Sequence, residues 1–162
     1  MSTRPTADRI KESLFNILNG MIAFEERHVL DLFAGTGALG LEALSRGAAS
    51  ATFIERSSTE IIADNFNRSH LENATIIRAD VFRALERLGE RQFDLIFIDP
   101  PYHLGLAQRT FELVVEKNLP KDDGLIIVEL GIDEKINSDC VELIRRVEYG
   151  RTTAIEIFGR QQ

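Results

Sequence analysis

Asp99-Pro100-Pro101-Tyr102 places a carboxylate, two imino acids and an aromatic ring in four consecutive positions. Two prolines fix φ twice and remove two N–H donors, so the backbone is stiff and presents carbonyls without donors. Such a turn suits a substrate that is itself a donor, an exocyclic –NH2. The Asp99 carboxylate and the Pro100 carbonyl can each take one hydrogen, which turns the amine lone pair toward an electrophile. Pro101 completes the rigid turn. Tyr102 offers a face for a planar base, worth about 1–3 kcal/mol per stacked base. A stiff strand-end turn with a surface tyrosine is the plain alternative.

A second constellation lies upstream. Asp31-Leu32-Phe33-Ala34-Gly35-Thr36-Gly37-Ala38-Leu39-Gly40 leaves an apolar run and enters a helical pattern. Gly35, Gly37 and Gly40 match G-x-G-x-x-G in the context that pattern requires. A tight turn and a close backbone approach follow at Ala34-Gly35-Thr36-Gly37, while Gly40 lets the helix pack on the sheet. Glu55, twenty residues after Gly35, stands where an acid can accept from both hydroxyls of a ribose. An ordinary strand-to-helix turn and an ordinary strand-end carboxylate are the alternative.

Asp31 discriminates between ligands. An acid four residues before the first glycine suits a cationic α-amino group and repels a pyrophosphate. S-adenosylmethionine carries a ribose, an amino acid and a sulfonium, and no phosphate, so the charge pattern favours it over a nicotinamide dinucleotide. Downstream, Asp80 can accept from the exocyclic amine of an adenine, with Val81 or Phe82 covering the ring. Asp80 is equally well placed as a helix N-cap, and the two roles are compatible.

These side chains need elements to hold them. Apolar runs at 28–33, 51–55, 74–78, 93–99, 124–130, 141–149 and 152–158 read as strands. The middle ones, such as Leu-Ile-Phe-Ile at 95–98, lack alternation, as strands buried on both faces do. Thr6 is a plausible N-cap for a helix with Ile10, Leu14, Ile17 and Leu18 on one face. Ser57-Ser58-Thr59-Glu60 fits a capping box opening a helix to about Asn67, and Gly47 after Arg46 stops the helix that begins near Ala38. Only Gly150 and Arg151 separate the last two runs, which predicts an antiparallel hairpin. The predicted fold is α/β: a doubly wound, mostly parallel seven-stranded sheet with an antiparallel C-terminal strand. It forms one domain over 1–162, with a helical segment at 1–27 and a sheet core at 28–162.

Composition excludes several classes. At 162 residues, with 44% hydrophobic and 28% charged, the chain can bury roughly 70% of its unfolded surface as a single core. Cys140 is the only cysteine, so no disulfide framework is expected and the thiol reads as inert and near the core. His28, His70 and His103 are too scattered for a metal cage, so no metal is expected; His103 is the best placed for a chemical role. The sequence shows neither a secretion signal nor a membrane span, which predicts a cytoplasmic protein. Nineteen basic against 26 acidic residues give a net charge of −7, which speaks against a broad basic nucleic-acid face. Residues 1–28 are neutral: Arg4, Arg9, Lys11 and Arg27 balance Asp8, Glu12, Glu25 and Glu26. Lys121-Asp122-Asp123 and Asp133-Glu134 carry part of the deficit and are expected far from the site.

Taken together, Thr3-Arg4-Pro5-Thr6, Phe15-Asn16, the run Asp31 to Gly47, Phe53-Ile54-Glu55 and Asp99 to Tyr102 resemble the bacterial 16S ribosomal RNA guanine-N2 methyltransferases, which are class I S-adenosylmethionine-dependent enzymes. The resemblance covers nearly the whole chain, from about Thr3 to Phe158. It implies that Asp31, Gly35, Gly37, Glu55 and Asp80 hold the cofactor, which leaves as S-adenosylhomocysteine. It implies that Asp99, Pro100 and Tyr102 hold the guanine, and that Arg4 and Thr6 lie near the methionine end or the RNA entrance. The implied partner is ribosomal RNA or an assembling small subunit, met by a monomer. Members of that family usually carry a glycine- and arginine-rich hairpin before the Arg-Pro-Thr segment. Only Met1-Ser2-Thr3 precede it here, so the chain resembles the catalytic core without that RNA-contacting arm.

The Asp-Pro-Pro-Tyr turn is shared with amino-methylating enzymes of DNA, so methylation of DNA or another amine is the alternative activity. A binding module that kept the fold without chemistry, and a nicotinamide-dependent oxidoreductase domain, are the readings from other classes.

Overall fold

Strand and helix alternate over most of the chain: α1 (Arg4–Asn19), β1 (His28–Leu32), α2 (Ala38–Ser45), β2 (Ser50–Glu55), α3 (Thr59–Ser69), β3 (Ala74–Arg78), α4 (Val81–Arg87), β4 (Phe93–Ile98), α5 (Leu106–Glu116) and β5 (Pro120–Gly131). Two strands with no helix between them follow, β6 (Glu142–Tyr149) and β7 (Thr153–Gly159). The structure, a computed structural model, describes residues 4–160, with side chains from Ala7 onward.

The seven strands form one sheet in the order β3-β2-β1-β4-β5-β7-β6. The pairs β1·β2, β1·β4, β2·β3 and β4·β5 are parallel, and β7 runs antiparallel to both β5 and β6. The predicted sheet is therefore observed, with β7 as its reversed strand. All six positions of β4 are buried, as the absence of alternation in its sequence requires. Its side chains serve two cores. Ile96 and Ile98 join Leu30, Leu32, Val81, Leu85, Phe111 and Val114 under α4 and α5. Leu95 and Phe97 join Leu14, Phe15, Leu18, Phe53 and Ile62 under α1, α2 and α3. Leu14, Phe15 and Leu18 are buried, at roughly 1.5–3 kcal/mol each, and fasten α1 beside the glycine turn.

Local details differ from the sequence expectation. The first strand stops at Leu32 because Phe33 takes a left-handed φ of 60°. The helix expected to start at Thr6 already runs from Arg4, so Thr6 lies within it; Pro5 is tolerated because the first turn has no intrahelical use for its N–H. The capping box at Ser57 does not form. Glu55 takes the Ser57 N–H and hydroxyl instead (Oε2, 3.1 and 3.3 Å), and Ser58 precedes α3 without a side-chain cap bond. β5 begins at Pro120, beyond a register shift between Phe93 and Leu95. The hairpin connection spans Gly150, Arg151 and Thr152, since Tyr149 pairs with Thr153. Cys140 is exposed rather than near the core: Ser138 Oγ bonds the Val141 backbone and makes a turn that directs the thiol outward.

Candidate active site

The sheet order reverses between β1 and β4, and ligands of open α/β sheets bind beyond the carboxyl ends of the strands at such a switch. Both constellations emerge there. After β1 the chain turns through three left-handed residues, Phe33, Gly35 and Gly37 (φ 60°, 59° and 81°). The turn is tied by Ala34 N–H to the Ile54 carbonyl (3.0 Å), Gly37 N–H to the Ala34 carbonyl (2.8 Å) and Asn65 Nδ2 to the Thr36 carbonyl (2.9 Å). Glu55, at the end of the neighbouring β2, accepts the Gly35 N–H through Oε1 at 2.8 Å. Gly40 fulfils its expected packing role: a Cβ there would stand 2.4 Å from the Phe53 ring.

Asp31 is buried and accepts the Gly40 N–H through Oδ2 at 3.0 Å. Burial pushes its carboxyl up to about 7; the Gly40 bond opposes that shift and the charge of Glu55 adds to it. Asp31, Ala34, Gly35 and Thr36 line a cavity of about 940 Å³ that also reaches Asp99, Tyr102, Glu129 and Thr153. That volume suits a nucleoside-sized ligand together with a base. Among the described residues its acidic lining is Asp8, Asp31, Glu42, Asp99 and Glu129, against Lys11, and Lys11 already faces Glu42 at 3.6 Å. A polyphosphate would be repelled here, whereas a ligand carrying ammonium and sulfonium charge fits.

Asp99 follows β4, its N–H reaching the Leu32 carbonyl at 3.4 Å. Its carboxyl sits well above the usual carboxylate range. Burial is the first cause, then the charge and hydrogen bond of Glu129, then the charge of Asp31. Part of the side chain still opens to the cavity. The Tyr102 hydroxyl donates to Glu129 Oε2 at 2.7 Å and lies 3.1 Å from Thr153 Oγ1. Burial chiefly, with Glu129 and Asp99, raises its pKa, so the phenol stays a neutral donor. Its ring meets His103 edge-on at 6.2 Å.

Six of the twelve expected site residues therefore share one cavity: Asp31, Ala34, Gly35, Thr36, Asp99 and Tyr102. Gly37 is buried in the turn behind them, where an added Cβ would stand 3.0 Å from Ile62. Pro100 is buried and Pro101 exposed, both shaping the turn rather than lining the cavity. Glu55 lies beside the lining and holds it through Gly35. Asp80 caps α4 by accepting the Arg83 N–H at 3.2 Å, and Val81 is buried in that helix; neither lines the cavity. The side chains of Arg4 and Thr6 lie outside the described residues.

His103 points elsewhere: Nε2 lies 2.6 Å from Asp133 Oδ1, whose hydrogen bond chiefly raises the imidazole pKa. The expectation that Asp133-Glu134 lies far from the site is thereby corrected. Glu134 Oε1 accepts from both His103 N–H (3.3 Å) and Gly131 N–H (2.9 Å), so this acidic pair buttresses the turn after Tyr102. Sequence reasoning also missed Glu129 and Thr153. For Glu129 a signal existed, a single charge ending the apolar run 125–128 in β5; for Thr153 there was none. Among the described residues no group of His, Cys, Asp and Glu is arranged to hold a metal.

A glycine turn after β1, an acid-proline turn after β4 and this strand order define the class I methyltransferase fold. The chain belongs to the family described as Conserved hypothetical protein 95, which matches residues 1–158. It is 39% identical over 132 residues to Ribosomal RNA small subunit methyltransferase D of Escherichia coli strain K12, covering 80% of this chain and 65% of that one. The chain thus spans about two thirds of the length of the small subunit methyltransferases D of Buchnera aphidicola and Escherichia coli that it matches, and 85% of the rRNA methyltransferase YlbH of Bacillus subtilis, so designated provisionally. A solved Escherichia coli structure provisionally designated methyltransferase yhhF matches with a TM-score of 0.83 and 32% identity over 98% of this chain and 88% of that one. SMU.776, solved in complex with SAH, shares the fold at 17% identity and a TM-score of 0.71, over 93% of this chain and 48% of that one.

Proposed function

We propose that this chain transfers a methyl group from S-adenosylmethionine to the exocyclic N2 amine of a guanine in small-subunit ribosomal RNA. One observation carries the reading. Asp31 with the glycine turn, suited to a cationic amino acid, and Asp99 with Tyr102, suited to an amine on a planar base, line a single cavity. The relatives named as small-subunit ribosomal RNA methyltransferases support the RNA substrate, and the SAH complex of a fold neighbour supports the methyl donor.

S-adenosylmethionine supplies an electrophilic methyl group on its sulfonium. Asp31 takes the ammonium of the methionine part, and Ala34-Gly35-Thr36-Gly37 allows close approach. Glu55 has lone pairs beyond the one used by Gly35 and accepts from the ribose hydroxyls. Asp80 and Val81, beyond β3, serve the adenine edge. A guanine turned out of its RNA context stacks on Tyr102. Asp99 and the Pro100 carbonyl each accept one hydrogen of its amine, leaving the nitrogen lone pair directed at the methyl carbon. As the N–C bond forms and the S–C bond breaks, positive charge moves to nitrogen, and Asp99 stabilises it. The surplus proton then leaves the nitrogen, with Asp99 or water as acceptor. The reaction needs no metal and belongs in the cytoplasm. No helix among the described residues is long and apolar enough to cross a membrane.

The test is transfer of labelled methyl to unmodified small-subunit particles, free ribosomal RNA and duplex DNA, followed by mapping of the modified nucleotide. Label in N2-methylguanine of the RNA is expected. Label in duplex DNA alone would replace this reading with the DNA alternative.

A further inference from the structure

The mechanism above uses Asp99 and leaves Glu129 unexplained. Glu129 stands near the carboxyl end of β5, the strand paired in parallel with β4. It lines the same cavity as Asp99 and Tyr102. Oε2 is fixed by the Tyr102 hydroxyl at 2.7 Å, and that hydroxyl is held from the far side by Thr153 at 3.1 Å. The side chain is thus aimed by three strand ends and a rigid turn, not by chance solvation. It also helps to hold the Asp99 carboxyl above the usual carboxylate range, after burial. Two carboxyl groups thus meet at one wall of the cavity, and both can accept from a ligand. Among the described residues, the other charged groups around this pair are Asp31 from β1, with Asp8 and Lys11 from α1 and Glu42 from α2 elsewhere on the cavity wall.

Guanine presents two neighbouring donors on its Watson–Crick edge, the ring N1–H and the exocyclic N2 amine. Adenine and cytosine present an amine beside a ring lone pair. A flipped base is read on that edge, and a carboxylate beside Asp99 accepts from the first pattern and repels the second. We propose that Glu129 is the specificity-determining residue for guanine, accepting N1–H while Asp99 accepts the neighbouring amine; this rests on the guanine-N2 reading above.

The test compares guanine with 2-aminopurine at the mapped position of the RNA substrate. 2-Aminopurine keeps the exocyclic amine but carries a lone pair at N1. In the wild type, kcat/KM for labelled methyl transfer is expected to favour guanine by about 10- to 100-fold, the discrimination of one well-placed polar contact pair. Glu129→Gln can turn its –NH2 toward a ring lone pair, so the preference is expected to fall at least tenfold. A role confined to holding Tyr102 or the fold lowers both substrates together. An unchanged ratio in Glu129→Gln therefore overturns the proposal while leaving the methyltransferase reading intact. Equal wild-type rates for the two bases also overturn it, and that comparison decides the matter if the variant fails to fold. Absence of any transfer to guanine by the wild type would instead remove the function reading, and this inference with it.

Discussion

Asp31 Oδ2 accepts the Gly40 N–H at 3.0 Å, so the carboxyl that faces the cavity also closes the glycine turn from beneath. One buried acid thus links strand β1, helix α2 and the ligand. Its ionisation state controls all three.

That link has a pH signature. Burial holds Asp31 at about 7, against 3.8 in the unfolded chain. Between those values the folded protein keeps a proton that the unfolded chain has released. The stability contributed by this group is therefore greatest below about pH 4 and is lost as pH rises to about 7, roughly 4 kcal/mol in all. A cationic ligand needs the ionised form, so S-adenosylmethionine affinity runs the other way. It should rise toward tenfold per pH unit up to about 7 and then level off. Calorimetric titration between pH 5 and 7.5 should show this slope in the wild type and lose it in Asp31→Asn. An equally steep slope in the variant would assign the effect to Asp99 or another acid.

The two ends of the glycine turn should differ sharply in what they tolerate. At Gly40 a new Cβ would lie 2.4 Å from the ring of fully buried Phe53 and 3.2 Å from Asp31 Oδ2. Overpacking of this kind costs about 1–3 kcal/mol, and it displaces the acid as well. Gly40→Ala should therefore lower the denaturant midpoint and weaken S-adenosylmethionine binding together. At Gly35 nothing lies within 4 Å, and only the φ of 59° disfavours a side chain, a strain of about 1–2 kcal/mol. Gly35→Ala should cost less stability than Gly40→Ala; the reverse order would contradict this packing.

How much of this was readable beforehand depended on range. The apolar run of β4 and the glycine turn declare themselves because each is a local pattern, set by burial on both faces or by positive φ. The Asp-Pro-Pro-Tyr turn is local too, and Asp99 and Tyr102 do share the cavity. Glu129 is different. It meets Tyr102 across 27 residues, and Thr153 meets Tyr102 across 51, contacts created by the sheet order and not by any neighbouring sequence. The same cause hid Asp133 and Glu134, whose acidity reads as plain solvation until the fold brings His103 over them. Ser57 failed as a cap because Glu55 outcompeted the helix for its hydroxyl.

The hairpin that completes the cavity depends on one buried ion pair. Glu156 is 2% exposed and accepts from Arg146 Nη1 at 2.8 Å and from Ile136 N–H at 2.9 Å. Arg146 also donates to the carbonyls of Ile132 and Glu134, both at 2.8 Å. The guanidinium therefore ties β6 and β7 to the segment that buttresses His103. Arg146→Met leaves a buried carboxylate without its partner and should cost about 3–5 kcal/mol. Replacing both residues, as in Arg146→Met with Glu156→Leu, should recover most of that loss. Urea unfolding of the two variants checks this. A single variant less than 1 kcal/mol below the wild type would show that solvent already compensates Glu156.

Asp99 should separate chemistry from cofactor binding. The charge of Asp31 helps to raise Asp99, whereas Asp31 itself is raised by its own burial and by Glu55, so removing Asp99 leaves the cause of the Asp31 shift in place. Asp99→Ala should consequently bind S-adenosylmethionine within a fewfold of the wild type. Methyl transfer is another matter, because the amine loses the acceptor that orients it and the charge that stabilises it. Loss of one such electrostatic partner costs about 100- to 1000-fold in kcat. The wild-type rate should also rise with pH as Asp99, held above the usual carboxylate range by burial and Glu129, ionises. That rise should be missing from the residual activity of the variant. Rapid-quench single turnover of cofactor-saturated enzyme on RNA, measured across pH, isolates this step from binding. Near-normal turnover in Asp99→Ala would remove Asp99 from the chemistry.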